Sequence, residues 1–78
     1  MTESEYFVIE TKRGLVKCFD EILLFTSECQ AHQIATDLGA DYFYRRLTLA
    51  ERSNLREGSG TLFIPRFRNL YMREVTGV

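Results

Sequence analysis

The chain has no tryptophan, one proline, one histidine, two cysteines and five glycines among 78 residues. Each scarcity excludes something. With His32 as the lone histidine, in the middle of a helical pattern, a nucleophile has no adjacent imidazole base. No C-x-x-C pair occurs. Cys29 and His32 fall at i, i+3 on one helical face and Cys18 is a conceivable third ligand, but a structural zinc site needs a fourth. The two thiols are therefore expected to serve as buried or half-buried apolar side chains in a reducing, cytoplasmic compartment. No metal or other cofactor is expected. Neither G-x-x-x-x-G-K-[ST] nor G-x-G-x-x-G is present, so nothing supports a nucleotide pocket. The longest apolar run, Ile22-Leu23-Leu24-Phe25, is too short to span a bilayer. The acidic start, Met1-Thr2-Glu3-Ser4-Glu5, is not followed by an apolar stretch of signal-peptide length, so no secretory or organellar address is expected.

What is present is a compact, aromatic-rich chain of 45% hydrophobic and 13% aromatic residues, sufficient for one small core and against general disorder. A single domain over residues 1–78 is expected. The net charge of −1 hides a division along the sequence. Residues 1–39 hold three Lys or Arg against seven Asp or Glu, and residues 40–78 hold seven Arg, no Lys and four acids. An Arg-only basic half is notable because guanidinium groups form forked and stacked contacts that ammonium groups do not.

Tyr6 to Thr11 is aromatic and β-branched and reads as a strand, followed by a turn at Lys12-Arg13-Gly14 and a return strand from Leu15 to Asp20. Glu21 to Thr26 either extends that strand past a bend or forms its own, and the run 22–25 is expected to be buried on both sides. Ser27 as N-cap, Gln30 at the third helical position, an apolar stripe of Ala31, Ile34, Ala35 and Leu38, and Gly39 as the stop predict a helix over Glu28 to Leu38. Asp41 to Leu47 reads as a strand with Tyr42 and Tyr44 on one side and Phe43, Arg45 and Leu47 on the other. Thr48-x-x-Glu51 opens a second, short helix that packing of Leu49 and Leu55 must hold. Glu57-Gly58-Ser59-Gly60 reads as a flexible loop. Thr61 to Ile64 and Leu70 to Val75 read as two final strands, with Pro65 placing the former at an edge.

The order ββ(β)αβαββ predicts an α+β fold: a small, mainly antiparallel sheet with one principal helix on one face and a second short helix. Its expected core is Phe7, Ile9, Phe25, Ala31, Ile34, Leu38, Phe43, Leu47 and Phe63.

The pattern most suggestive of function is Tyr42-Phe43-Tyr44-Arg45-Arg46 together with Arg66-Phe67-Arg68, Tyr71 and Arg73. Aromatic and Arg side chains dominate protein–protein hot spots, and they also stack and pair with single-stranded nucleic acid. A protein partner is the expected reading, through Tyr42, Tyr44, Arg45, Arg46, Arg66, Arg68 and Arg73. On that reading, Arg45→Glu with Arg46→Glu leaves folding intact and abolishes binding. The near-neutral total, the acids among the arginines and the lack of RNP-like or GXXG motifs make single-stranded RNA or DNA the second reading. The acidic half offers two further expectations: a surface for a cationic groove, or a complement to the Arg half of another copy in a homodimer. A non-enzymatic regulatory or inhibitory protein, of the kind found as phage or mobile-element accessories acting against host defence, matches this size and composition.

Overall fold

A computed structural model describes residues 5–55 and 60–74. The chain is α+β. Strand β1 (Phe7–Thr11) is paired along both edges. On one side it meets β2 (Gly14–Leu15), and on the other β5 (Phe43–Arg46), both antiparallel. A second three-stranded sheet holds β3 (Lys17–Cys18), β4 (Glu21–Leu24) and β6 (Thr61–Leu62), with β4 in the middle and β6 parallel to it. Val16 joins the two sheets at the bend between β2 and β3. Its N–H donates to Ile9 and its C=O accepts from Leu23. Phe7 and Phe25 close the same seam with reciprocal backbone bonds of 2.8 and 2.9 Å.

The β1–β2 hairpin forms at Lys12-Arg13. Gly14 takes φ +126°, and the Thr11 hydroxyl accepts the Arg13 N–H and donates to the Gly14 carbonyl. The second hairpin settles the alternative left open for residues 15–26. The return strand ends at Cys18 and β4 is separate, because Phe19 and Asp20 both take positive φ, 56° and 63°, which turns the chain in two residues. Phenylalanine is a poor left-handed residue. Its ring lies edge-on to that of Tyr71 at 6.4 Å, a contact that favours this conformation.

Helix α1 (Glu28–Leu38) forms over the range its pattern predicts. The Ser27 hydroxyl accepts the Gln30 N–H, the Gly39 N–H returns to the Ala35 carbonyl, and Ala31, Ile34 and Ala35 are buried. The alanines let the helix lie close against β1 and β5. Helix α2 (Leu49–Asn54) opens with both bonds of the Thr48–Glu51 capping box. It is not held as the sequence suggests. Leu49 is exposed, and anchoring falls to Leu55, which packs beside Val8, Leu24 and Leu47, and to Arg52 over the Tyr6 ring.

Two other expectations are corrected. The predicted strand from Leu70 is not formed over residues 70–74, and Val75 lies outside the described residues: Pro65–Phe67 forms a 3-10 turn that runs into helix α3 (Arg68–Glu74). Proline favours a first helical turn, and Arg, Leu, Met and Glu are good helix formers, whereas nothing in 70–74 alternates with period two. The order therefore ends in a short edge strand and a helix, and the strands divide into two sheets. Phe43 is not core but 65% exposed. The two sides of β5 are as the alternation predicts, but α1 covers the Tyr42/Tyr44 side, so Phe43 points away from the main core. The remaining expected core residues are buried, apart from Leu38, which flanks the cluster. Cys18 is buried as expected, whereas Cys29 is exposed on α1. Of the predicted 57–60 loop, residues 57–59 lie outside the described residues.

Gly60 shows how tightly β6 is placed. At φ +92°, a Cβ here would stand 2.7 Å from Leu24 Cδ1. Gly60→Ala is expected to destabilise the domain by about 1–3 kcal/mol, by combining backbone strain with overpacking. Urea denaturation would measure it, and an unchanged midpoint would show that β6 yields without cost.

Candidate functional site

The seven Tyr and Arg positions singled out in the sequence do not form one patch. Four lie on or beside β5 and three on the C-terminal segment. Because antiparallel partners share a face, Arg46 stands opposite Phe7 and Tyr44 opposite Ile9 on the α1 side, while Arg45 stands opposite Val8 on the other.

Arg45 is the most heavily bonded of the set. Its Nη1 and Nη2 donate to the two Glu51 oxygens at 2.7 and 2.6 Å, its Nε donates to Glu10 at 3.2 Å, and Nη1 also reaches the Arg46 carbonyl. The forked pair holds the Glu51 carboxyl well below the usual range, at about 2, helped by the Thr48 backbone N–H. Arg45 itself is raised above its ordinary value, first by Glu51. Its guanidinium therefore fastens α2 to β1 and β5. This changes the expectation for Arg45→Glu, which strikes the fold before any partner.

Arg46 is different. It is 64% exposed, rests over the Phe7 ring at 5.9 Å, and approaches Glu5 at 3.6 Å. Tyr44 is half-buried. Its hydroxyl donates to Glu28 at 3.1 Å, and the carboxylate pushes the phenol above its ordinary value. His32 lies outside the core, as its position in the helix suggests, with its ring stacked on that of Tyr44 at 5.3 Å. Tyr42 is half-buried at the end of α1.

Arg68 pairs with Asp37 near the end of α1. Arg66 lies over the Phe67 ring at 5.7 Å, and Arg73 is exposed on α3. The opposite charges separated along the sequence therefore meet within one molecule. Glu5, Glu10 and Asp37 of the acidic half each face an arginine of the basic half, and Glu21 accepts from Thr61.

The outer face of α1 lies between two shallow grooves. One, of about 600 Å³, is lined by Cys29, His32, Thr36, Asp37 and Arg68. The other, of about 220 Å³, lies along β5, with His32 and Thr36 on one wall and Tyr42, Phe43 and Tyr44 on the other. Among the described residues, no group of three or more His, Cys, Asp or Glu side chains is placed to hold a metal ion. No helix among them is long and apolar enough to cross a membrane.

The apolar side chains between the C-terminal arginines are not among the residues that the sequence pattern singles out. Leu62, Ile64, Phe67 and Leu70 are each at least 40% exposed, and Phe19 joins them through its contact with Tyr71. Tyr71 holds this segment down. Its buried ring packs against Phe63 at 5.3 Å, its hydroxyl donates to the Leu62 carbonyl at 2.9 Å, and its own carbonyl lies 3.8 Å from the Cys18 sulfur. The usable signal was the spacing of large apolar residues with Arg66 and Arg68 on either side of Phe67. It was obscured because a strand at 70–75 would have buried every second residue. Comparison with protein-family models, curated proteins and solved structures returned no match.

Proposed function

We propose that the protein is a non-enzymatic interaction module whose contact surface is the C-terminal segment 62–73. One observation carries this reading. Leu62, Ile64, Phe67 and Leu70 leave large apolar surface in water within a single stretch of chain, bordered by Arg66, Arg68 and Arg73. Large apolar side chains exposed among guanidinium groups have the composition of a protein-binding hot spot. The matching partner is a protein surface with an apolar centre and carboxylates at its rim. Covering such a surface, in a reducing cytoplasm that leaves both thiols free, suits a regulatory or inhibitory protein of the phage or mobile-element accessory kind. Single-stranded nucleic acid is the weaker reading, because Arg45, Arg46 and Arg68 already face carboxylates.

The test is quantitative capture of partner from the native cell. Phe67→Glu with Leu70→Glu is expected to reduce capture at least about tenfold, since each removes a hot-spot contact of about 1–3 kcal/mol. The melting temperature should hold, because both side chains are exposed. Lys12→Glu, in a distant turn, should leave capture unchanged. Equal loss in the double variant and in Lys12→Glu, or none in the double variant, would reject this surface. Salt-sensitive binding of labelled single strands that survives the double variant would move the assignment to nucleic acid.

A further inference from the structure

The free edge of β5 has the geometry of a self-complementary strand. Tyr6 and Leu47 stand opposite one another in the β1–β5 register, and the Leu47 N–H donates to the Tyr6 carbonyl at 2.8 Å. The backbone groups of an antiparallel strand alternate in direction. Phe43, Arg45 and Leu47 therefore turn theirs towards β1, and Tyr42, Tyr44 and Arg46 turn theirs outward. Two of the outward groups are used within the chain: the Tyr42 N–H donates to Gly39, and the Arg46 carbonyl accepts from Arg45 Nη1. The Tyr44 N–H, the Tyr44 carbonyl, the Arg46 N–H and the Tyr42 carbonyl make no hydrogen bond among the described residues. The groove between α1 and β5 leaves this edge accessible.

The geometry points to a second copy of this chain, paired antiparallel through β5 with Tyr44 facing Tyr44 across a two-fold axis. In that register the four remaining groups match one another. Each Tyr44 N–H meets the other copy's Tyr44 carbonyl, and each Arg46 N–H meets the other copy's Tyr42 carbonyl. The two groups already satisfied, the Tyr42 N–H and the Arg46 carbonyl, also face each other and need nothing further.

The side chains select the same register. Phe43 falls opposite Arg45 of the second copy and Tyr42 opposite Arg46, so each pair flanking the central Tyr44–Tyr44 pair is an aromatic ring with a guanidinium group. Phe43, left uncovered in one chain, would lie across the Arg45–Glu51 pair of the other and shield it from water. Moving the register one way sets Arg45 against Arg45. Moving it the other way leaves the Tyr44 carbonyl and the Arg46 N–H unmatched. This association is independent of the C-terminal surface. It also does not use the charge division of the sequence, which is satisfied within each chain.

Sedimentation of the full chain over a concentration series is expected to show a monomer–dimer equilibrium. Phe43→Lys places a cation opposite Arg45 of the second copy, while Glu10, its cross-strand neighbour in its own chain, accommodates it. It should weaken dimerisation at least about tenfold with an unchanged melting temperature. Arg46→Pro deletes an N–H that the monomer does not use and should do the same. Tyr44→Cys in a Cys29→Ser background should oxidise to a disulfide-linked dimer, because only this register brings residue 44 opposite itself at bridging distance. A monomer at every concentration, a dimer indifferent to Phe43→Lys, or absence of the Tyr44→Cys cross-link would each overturn the proposal.

Discussion

Phe25→Ala is expected to leave the domain largely unfolded at physiological temperature. Phe25 is fully buried where the two sheets meet, with its backbone paired to Phe7 in both directions and its ring 4.9 Å from that of Phe63. Removing a buried phenyl ring costs about 3–5 kcal/mol when the surroundings cannot collapse into the space. Closure is hindered here because the strands on either side are fixed by hydrogen bonds. A chain of this length has a total stability of about 4–12 kcal/mol, at roughly 0.05–0.15 kcal/mol per residue, so one substitution removes a large share of it. Circular dichroism should show a melting point lowered by at least about 15 °C, with Phe25→Leu between that variant and the parent. A fall of less than about 5 °C would mean that the seam is not the centre of stability. The consequence reaches the proposed contact surface, because Phe25, Phe63 and Tyr71 form one line of packed rings ending under the C-terminal segment.

Arg45→Glu is expected to lower stability by roughly 2–3 kcal/mol, while Arg46→Glu changes it by less than about 0.5 kcal/mol. These neighbours belong to one residue type and differ in what they touch. Arg45, 32% exposed, makes a forked bond to Glu51 and a further bond to Glu10, and a glutamate there would gather three carboxylates. The value is already reduced for partial exposure to solvent, which screens such pairs. Arg46 reaches one carboxylate at long range from a largely solvated position. Arg45→Lys should recover part of the loss, since an ammonium group cannot reproduce the fork.

The same network predicts an acid dependence. The Glu51 carboxyl is held at about 2, below its ordinary value of 4.5. A folded-state value below the unfolded one means that the stabilisation is complete above the unfolded value. It is lost as the pH falls from about 4.5 towards about 2. Urea midpoints in that window should decline less in Arg45→Met than in the parent, by about 1 kcal/mol after allowance for screening. Parallel declines would show that Glu51 gains little from Arg45.

Much of the local structure was legible from the residues. Helix α1 appears over its predicted range because its cap, apolar stripe and terminal glycine are all local and agree. The Thr48–Glu51 box opens α2 for the same reason. Structure and local pattern diverge where the local signals are silent or ambiguous. Leu70 to Val75 is too short and too mixed to distinguish a strand from a helical turn, and the docking of Tyr71 on Phe63 fixed the outcome. Phe43 reads as core in the sequence because alternation identifies the two sides of a strand without saying which one a helix will cover. Its exposure removes a residue from the core and leaves its ring in solvent beside the edge of β5.

The α+β class, the principal helix and its caps, the lack of any nucleotide-binding motif, and the division into an acidic half and an Arg-only half are all written in the order of the residues. Where those charges meet follows from packing in three dimensions. Charge order along a chain is one-dimensional, whereas ion pairing depends on which side chains the strand register and helix docking bring within a few ångströms. The β1–β5 register brings Arg45 to Glu10, α2 brings Glu51 to Arg45, and the C-terminal turn brings Arg68 to Asp37. A polarity that in the sequence suggested two opposed surfaces is thereby used largely to hold one fold together. What the fold leaves uncovered is the row of apolar side chains among the C-terminal arginines and the outer edge of β5.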